Sequence, residues 1–291
     1  MNINVETLGR TAQDLLKRAR ACADEKGVKA LLVGGVVRDL LLGVPSLDLD
    51  IVIEGDAIAF ARMLAGGRAK VLTHERFGTA VVTFPDGFAI DCVTARREVY
   101  AKPGALPDVT PGTIQDDLFR RDFTVNALAV SLNAKDLGTL VDEHGGVADL
   151  KKKNIRVLHA KSFQDDPTRI VRAARYAARF GFRLEPKTEK ELCAAAAADA
   201  FSTVTPVRYF NEFRRILEEK DPVPALDLLK QWGALKYVPY GGIEKKRLKA
   251  ALKWQDRFNV LVAPLEEKQV REILRSFNVR REDQKIILER I

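Results

Sequence analysis

Residues 31 to 53 read Leu31-Leu32-Val33-Gly34-Gly35-Val36-Val37-Arg38-Asp39-Leu40-Leu41-Leu42-Gly43-Val44-Pro45-Ser46-Leu47-Asp48-Leu49-Asp50-Ile51-Val52-Ile53. The run 30–33 is apolar and short, the length of one buried strand. Gly34 and Gly35 allow a tight turn into a short helix over 36–42, which Gly43 stops, with Pro45 just beyond. A second strand is predicted over 47–53, with Asp48 and Asp50 on one face and Leu49, Ile51 and Ile53 on the other. Carboxylates two residues apart on a strand stand about 6.6 Å apart at Cα, so their oxygens can share a pair of divalent ions. The Gly34-Gly35 turn adds bare N–H groups and a helix N-terminus, a seat for a polyphosphate. A Gly-Gly turn alone is only a turn, and Asp-x-Asp alone can be a solvated face. This strand is apolar on its other face, however, and unpaired carboxylates inside a fold are costly. Metal ligands and a phosphate seat in one stretch point to phosphoryl or nucleotidyl transfer.

Working outward, residues 7–23 carry Leu8, Ala12, Leu15, Leu16 and Ala19 at helical spacing. A helix over 56–65 is closed by Gly66-Gly67, and strands follow at 69–73, 79–84 and 88–94. The last two are joined by Pro85-Asp86-Gly87 as a hairpin turn. Asp91 in the last strand is either a third carboxylate beside Asp48 and Asp50, serving the metals or a 3′-hydroxyl, or an acid on a ladder edge. Residues 96–112 read as a loop with three prolines, long enough to be mobile or functional. Thr113, with Asp116 three residues on, resembles a capping box and predicts a helix through Ala129. On that helix Asp122 and Asn126 stand one turn apart beside Arg120 and Arg121. Such a row either grips a triphosphate and ribose or is a solvated face.

Residues 141–150 form a polar turn with Gly145-Gly146, where the net charge changes sign, and the domain boundary is placed there. Beyond it strands fade, apart from 155–158. Asp166, with Pro167 at the first helical position, caps a helix that runs to Phe180 and stops at Gly181. Further helices are predicted over 188–200, 207–220, 225–232, 244–258 and 266–277. Strands with helices followed by helices alone make the class α+β.

With 291 residues, 46% hydrophobic and 30% charged, the composition is that of a soluble globular protein of two or more domains. No apolar run nears the roughly 20 residues of a membrane span, and the N-terminus lacks a signal-peptide pattern. Cys22, Cys92 and Cys193 form no CxxC pair, and His74, His144 and His159 form no HExxH motif. These features exclude a disulfide framework and a zinc centre, and suit a reducing cytoplasm without membrane attachment. Residues 1–150 hold 17 Lys+Arg and 21 Asp+Glu, net −4, whereas 151–291 hold 31 and 19, net +12. An acidic first half suits divalent metals; a basic second half suits a polyanion such as nucleic acid, or is a set of solvated helices.

Gly34-Gly35-Val36-Val37-Arg38-Asp39, Asp48-Leu49-Asp50, Arg120-Arg121-Asp122-Phe123-Thr124-Val125-Asn126-Ala127, the Gly145-Gly146 turn and Asp165-Asp166-Pro167-Thr168-Arg169 stand in a specific order. In that order they resemble class II tRNA nucleotidyltransferases, the template-independent CCA-adding enzymes with their CC- and A-adding relatives and bacterial poly(A) polymerases. The resemblance covers about residues 28–240. It implies a polymerase-β-like head with a mixed sheet and helices over 1–142, then all-α neck and body domains over 143–220 and 221–291. It implies Asp48 and Asp50 as Mg²⁺ ligands and Gly34, Gly35 and Arg38 near a triphosphate; Asp91, on its reading as a third carboxylate, would join the two acids in catalysis. Arg121, Asp122 and Asn126 would lie near sugar and phosphates, and Asp165, Asp166, Arg169 and Arg172 near the nucleotide.

Asp166 and Arg169 would read the base. They stand three apart at a helix start, so one ligand can meet both. A carboxylate accepts from an exocyclic amine and a guanidinium donates to a ring nitrogen, a pattern that cytosine and adenine offer and guanine and uracil do not. The same two residues would also serve as a helix cap with a local ion pair. Asp165 stands where the family often has Glu. The chain ends inside a helical pattern, which suggests a short form or a piece of a longer enzyme.

The implied partners are the tRNA 3′ end with ATP and/or CTP. Residues 100–107 and 162–169 resemble the A-adding branch. Residues 74–80, His-Glu-Arg-Phe-Gly-Thr-Ala, look more like the tRNA enzymes than like poly(A) polymerases, the nearest rival. A non-catalytic nucleic-acid-binding module is disfavoured by the intact acid pair. A dinucleotide-binding dehydrogenase fails for want of GxGxxG.

Overall fold

A computed structural model describes residues 3, 8–45, 49–241 and 244–290, so Asp48 lies outside the described residues. The chain divides into two compact units. The first comprises Met1–Val99, Pro107–Lys152 and Arg156–Leu158; the second comprises Tyr100–Leu106, Lys153–Ile155 and His159–Ile291.

The first unit runs α1 (Arg10–Lys26), β1 (Lys29–Val33), α2 (Gly35–Leu42), β2 (Leu49–Glu54), α3 (Ala57–Ala65), β3 (Lys70–His74), β4 (Thr79–Thr83) and β5 (Ala89–Thr94). It continues with β6 (Arg96–Val99), β7 (Asp108–Pro111), α4 (Ile114–Phe119), β8 (Ala129–Ser131), β9 (Leu140–Val141) and α5 (Gly146–Lys152). Seven strands form a mixed sheet in the order β3-β4-β5-β2-β1-β8-β9. β2 and β5 run parallel, and the other neighbours antiparallel. Helix α3 packs on the sheet and on α1 through Phe60, Ala61 and Leu64; its N-terminus is capped by Asp56, which accepts from Ile58 N and Ala59 N, both at 2.9 Å. A second cluster, Leu31, Val33, Val52, Ala95, Ile114, Leu118, Ala127 and Ala129, joins β1 and β2 to α4 and β8. Covered on both faces, β1 reads as a continuous apolar run rather than an alternating one.

The helix predicted through Ala129 stops much earlier. α4 ends at Phe119, a 3₁₀ turn spans Thr124–Asn126, and β8 then pairs Ala129 with Val33 and Val130 with Leu32. The reason is burial: residues 122–132 are buried throughout, whereas an amphipathic helix would turn part of its face to water. The loop predicted over 96–112 contains the antiparallel ribbon β6–β7, with Arg96 opposite Pro111 and Val99 opposite Asp108. The Gly145-Gly146 turn leads directly into α5, with Asp142 accepting from Gly146 N at 2.6 Å and Val147 N at 3.0 Å.

The second unit is mostly helical. It holds β10 (Asn154–Ile155), α6 (Ser162–Asp165), α7 (Thr168–Phe180), β11 (Arg183–Leu184), α8 (Pro186–Ala197), α9 (Pro206–Glu218) and α10 (Val223–Gln231). α11 (Lys245–Ala250), α12 (Trp254–Val262), α13 (Glu267–Ser276) and α14 (Arg281–Leu288) follow. β10 and β11 make a two-stranded parallel ladder. α7 buries Ile170, Val171, Ala173, Ala174 and Ala177, and packs against α9 and α10. An aromatic cluster links the later helices, with Phe210 stacked on Phe277 at 4.5 Å and set edge-on to Phe258 at 6.0 Å. The helix predicted over 244–258 is two helices, broken between Ala250 and Trp254. At the break, Arg257 reaches back to Ala251 O at 2.8 Å and Leu248 O at 3.2 Å, satisfying carbonyls that a continuous helix would have used. Among the described residues, no helix is long and apolar enough to cross a membrane.

Candidate active site

The chain leaves β1 at Gly34, whose φ of 75° and ψ of −132° suit glycine, and whose N–H donates to Leu128 O at 3.0 Å. A Cβ at this position would lie 2.7 Å from Arg121 Nη1 and 3.8 Å from Asp50 Oδ2. The positive φ calls for glycine, and Arg121 Nη1 stands closer to the turn than a Cβ would allow, with Asp50 at ordinary contact distance. α2 begins one residue later, so its first N–H groups open at the same place.

Asp50 on β2 stands opposite Asp91 on β5 in a parallel register. Partners in such a ladder share a face, with backbones about 4.8 Å apart. Asp50 is half-buried and Asp91 exposed, so both sit where solvent ions have access. Two carboxylates side by side are hard oxygen donors of the kind that magnesium takes, and the residues fit a divalent cation. On β5 itself, the next residue, Cys92, turns to the buried face, and that burial, helped by the Asp91 charge, pushes its thiol up to about 12. It stays protonated and apart from metal or nucleophilic chemistry.

Arg38 is buried. Its guanidinium donates from Nε to Asp39 Oδ1 at 2.9 Å and from Nη1 to Asn126 Oδ1 at 2.5 Å. Asn126 in turn donates to Asp122 Oδ1 at 3.0 Å, which also takes the Phe123 N–H at 2.8 Å. The predicted Asp122–Asn126 pair thus holds without the predicted helix, because the 3₁₀ turn closes the same distance. Arg121 gives Nε and Nη2 to Asp117 Oδ2, at 3.2 and 2.9 Å, and leaves Nη1 at the Gly34 turn. Asp117 was not singled out by sequence reading, although it stands three and four residues before the two arginines on one helix face. Burial pushes its carboxyl upward, and the Arg121 and Arg120 guanidiniums outweigh that, holding it below the usual carboxylate value.

In the second unit, Asp166 Oδ1 accepts from Thr168 N at 3.1 Å, Thr168 Oγ1 at 2.7 Å and Arg208 Nη2 at 3.1 Å. The cap predicted at Asp166 falls one residue later, since Pro167 is the N-cap of α7, though Asp166 Oδ1 still takes the first helical N–H, that of Thr168; its other oxygen, Oδ2, carries no hydrogen bond among the described residues. Arg169 is buried and donates to Ser162 Oγ at 2.6 Å. Arg172 turns to Glu212, 3.3 Å from both carboxylate oxygens, and to Tyr176 Oη at 3.1 Å. Asp165 lies 3.9 Å from His159 Nδ1. Burial, with Arg169 nearby, lowers the His159 pKa, so the imidazole is neutral at neutral pH and the contact is no ion pair. Arg208 comes from α9 and had no signal in the sequence around Asp166.

Residues 30–156 match the family model described as the poly A polymerase head domain, and 181–241 match the probable RNA and SrmB-binding site of polymerase A. The A-adding tRNA nucleotidyltransferase of Halalkalibacterium halodurans is 44% identical over 237 residues, covering 79% of this chain and 55% of that protein. The CC-adding tRNA nucleotidyltransferase of Deinococcus radiodurans is 43% identical over 209 residues, covering 72% of this chain and 55% of that protein. The chain thus spans about half the length of these relatives. Among solved structures, the Thermotoga maritima CCA-adding enzyme complexed with tRNA_CCA superposes with a TM-score of 0.81 at 33% identity, over 99% of this chain and 72% of that one. With the mixed-sheet first unit and the glycine turn set against its carboxylates, the chain belongs to the class II tRNA nucleotidyltransferase and poly(A) polymerase family.

Proposed function

We propose that this chain adds AMP, or CMP and AMP, to the 3′ end of tRNA without a nucleic-acid template, releasing pyrophosphate. The observation that carries the reading is Asp50 in register with Asp91, beside a glycine turn that Arg121 underlies. Mg²⁺ is the ion proposed for Asp48, Asp50 and Asp91; bound there, it supplies activation of the 3′-hydroxyl and neutralisation of the pyrophosphate. The Gly34-Gly35 N–H groups and Arg121 receive the phosphates, while Asp122 and Asn126 serve the sugar. Arg38 is held by Asp39 and Asn126, and so orders the turn at its back. Asp166 Oδ2 accepts the exocyclic amine of adenine or cytosine and Arg169 donates to the ring nitrogen, with Asp165 and Arg172 in support. The organisation is a catalytic head over 1–142, a base-reading neck over 143–220 and a helical body over 221–291, working in the cytoplasm.

Relatives named A-adding and CC-adding are about equally similar, so identity does not choose between them. Residues 100–107 and 162–169 favour AMP addition. The test is incubation with tRNA ending in the discriminator base, in -C and in -CC, with each NTP separately. One AMP on the -CC end, from ATP alone, is expected. Addition of CMP to the shorter ends extends the reading to CCA synthesis, and long A tracts on RNA ends of any sequence replace it with poly(A) polymerase.

A further inference from the structure

Asp117 is fully buried, and it meets the proposed nucleotide seat through Arg121. Its two oxygens are divided between two guanidiniums. Oδ2 takes Nε and Nη2 of Arg121, at 3.2 and 2.9 Å, and Oδ1 takes Nε and Nη2 of Arg120, at 2.9 and 2.7 Å. Arg120 Nη1 continues to Glu98 Oε1 at 3.1 Å, and the same oxygen receives Arg96 Nε at 3.1 Å and Nη2 at 2.9 Å. The charges alternate along one path: Arg96, Glu98, Arg120, Asp117, Arg121. Two acids offset two of the three cations, and the path ends on Arg121 Nη1, which has no hydrogen-bond partner among the described residues. That nitrogen is the one set against Gly34, and Asp50 Oδ2 flanks the same point.

We infer that Asp117 is a positioning residue, which fixes the Arg121 guanidinium so that Nη1 meets the triphosphate at the Gly34-Gly35 turn and stays off Asp50. A two-point grip on one edge of a guanidinium sets its plane as well as its place, which a single contact cannot do. Without it the arginine is free to swing to the nearest carboxylate. The inference rests on the nucleotidyl-transfer reading and adds to it the residue that orients the phosphate-binding cation.

The test is Asp117→Asn, which keeps the shape and one acceptor but removes the charge. Binding of inorganic triphosphate in magnesium chloride is measured by calorimetry, alongside kcat and KM for ATP and GTP on tRNA ending in -CC. Triphosphate affinity should fall about tenfold and KM for ATP rise by a similar factor, with the preference for ATP over GTP unchanged. In an Arg121→Met background, Asp117→Asn should add nothing. Unchanged triphosphate affinity, or losses that multiply in the double variant, overturns the inference. Glu98→Gln, farther up the path, should weaken triphosphate binding about threefold, and serves where Asp117→Asn fails to fold; wild-type affinity there also overturns it. A wild-type chain that binds triphosphate but transfers no nucleotide removes the functional reading and leaves the positioning role standing. One that binds no triphosphate removes the positioning role.

Discussion

At the scale of single residues, the chemistry turns on where the carboxylates stand and what they face. Asp50 and Asp91 share one face of a parallel ladder, and on the proposed reading both serve the metal ions. Asp50→Ala or Asp48→Ala should lower nucleotide addition by about a thousandfold or more, with tRNA binding nearly intact, as measured by single-turnover kinetics and filter binding. Asp91→Ala separates its two roles: a comparable loss makes it a third catalytic carboxylate, and near-wild-type turnover makes it a ladder-edge acid. Asp166 collects three donors on Oδ1 and, among the described residues, none on Oδ2. Asp166→Ala should cut discrimination against GTP and UTP roughly tenfold, since a hydrogen bond to a charged group is worth about 1.5–3 kcal/mol. Arg169→Ala should instead reduce use of the correct nucleotide. Both are read as kcat/KM for all four NTPs on tRNA ending in -CC, and an unchanged ratio of ATP to GTP and UTP in both variants would make the pair structural.

At the scale of elements, local signals set most of the boundaries. Gly43, Gly66 and Gly181 stop α2, α3 and α7 in the left-handed conformation, because no side chain opposes it there. Where elements depend on distant partners, local signals fail. β8 exists because it pairs with β1, and α11 and α12 separate where Arg257 collects main-chain carbonyls. Arg257 also donates to Leu217 O at 2.6 Å and Glu219 O at 2.5 Å, at the end of α9, so one buried side chain closes two helix ends. Arg257→Met should therefore destabilise the second unit by about 3 kcal/mol, since several buried carbonyls lose their donor together. Urea unfolding followed by tryptophan fluorescence tests this, and a midpoint shift equivalent to less than about 1 kcal/mol would assign the carbonyls other partners.

At the scale of the whole molecule, charge is divided along the chain, −4 over residues 1–150 and +12 over 151–291. If the basic part holds tRNA, binding should weaken steeply with salt as phosphate contacts release counterions. Lys246 and Arg247 are exposed on α11, and Lys246→Glu with Arg247→Glu should reduce the slope of log affinity against log salt by roughly 1.5. An unchanged slope would place tRNA contacts elsewhere. By itself, the sequence determined what depends on near neighbours: the glycine turn, the place of Asp50 on β2, the Gly181 stop of α7 and the charge division. The Asp117 clamp was also written locally, as i,i+3 and i,i+4 spacing, although its role follows only once Arg121 is seen against Gly34. Tertiary structure alone decided that Asp91 stands beside Asp50, that residues 122–132 are buried rather than a helix face, and that Arg208 holds Asp166. Those outcomes depend on which remote segments exclude water together, and burial between remote segments leaves no periodic trace in either one.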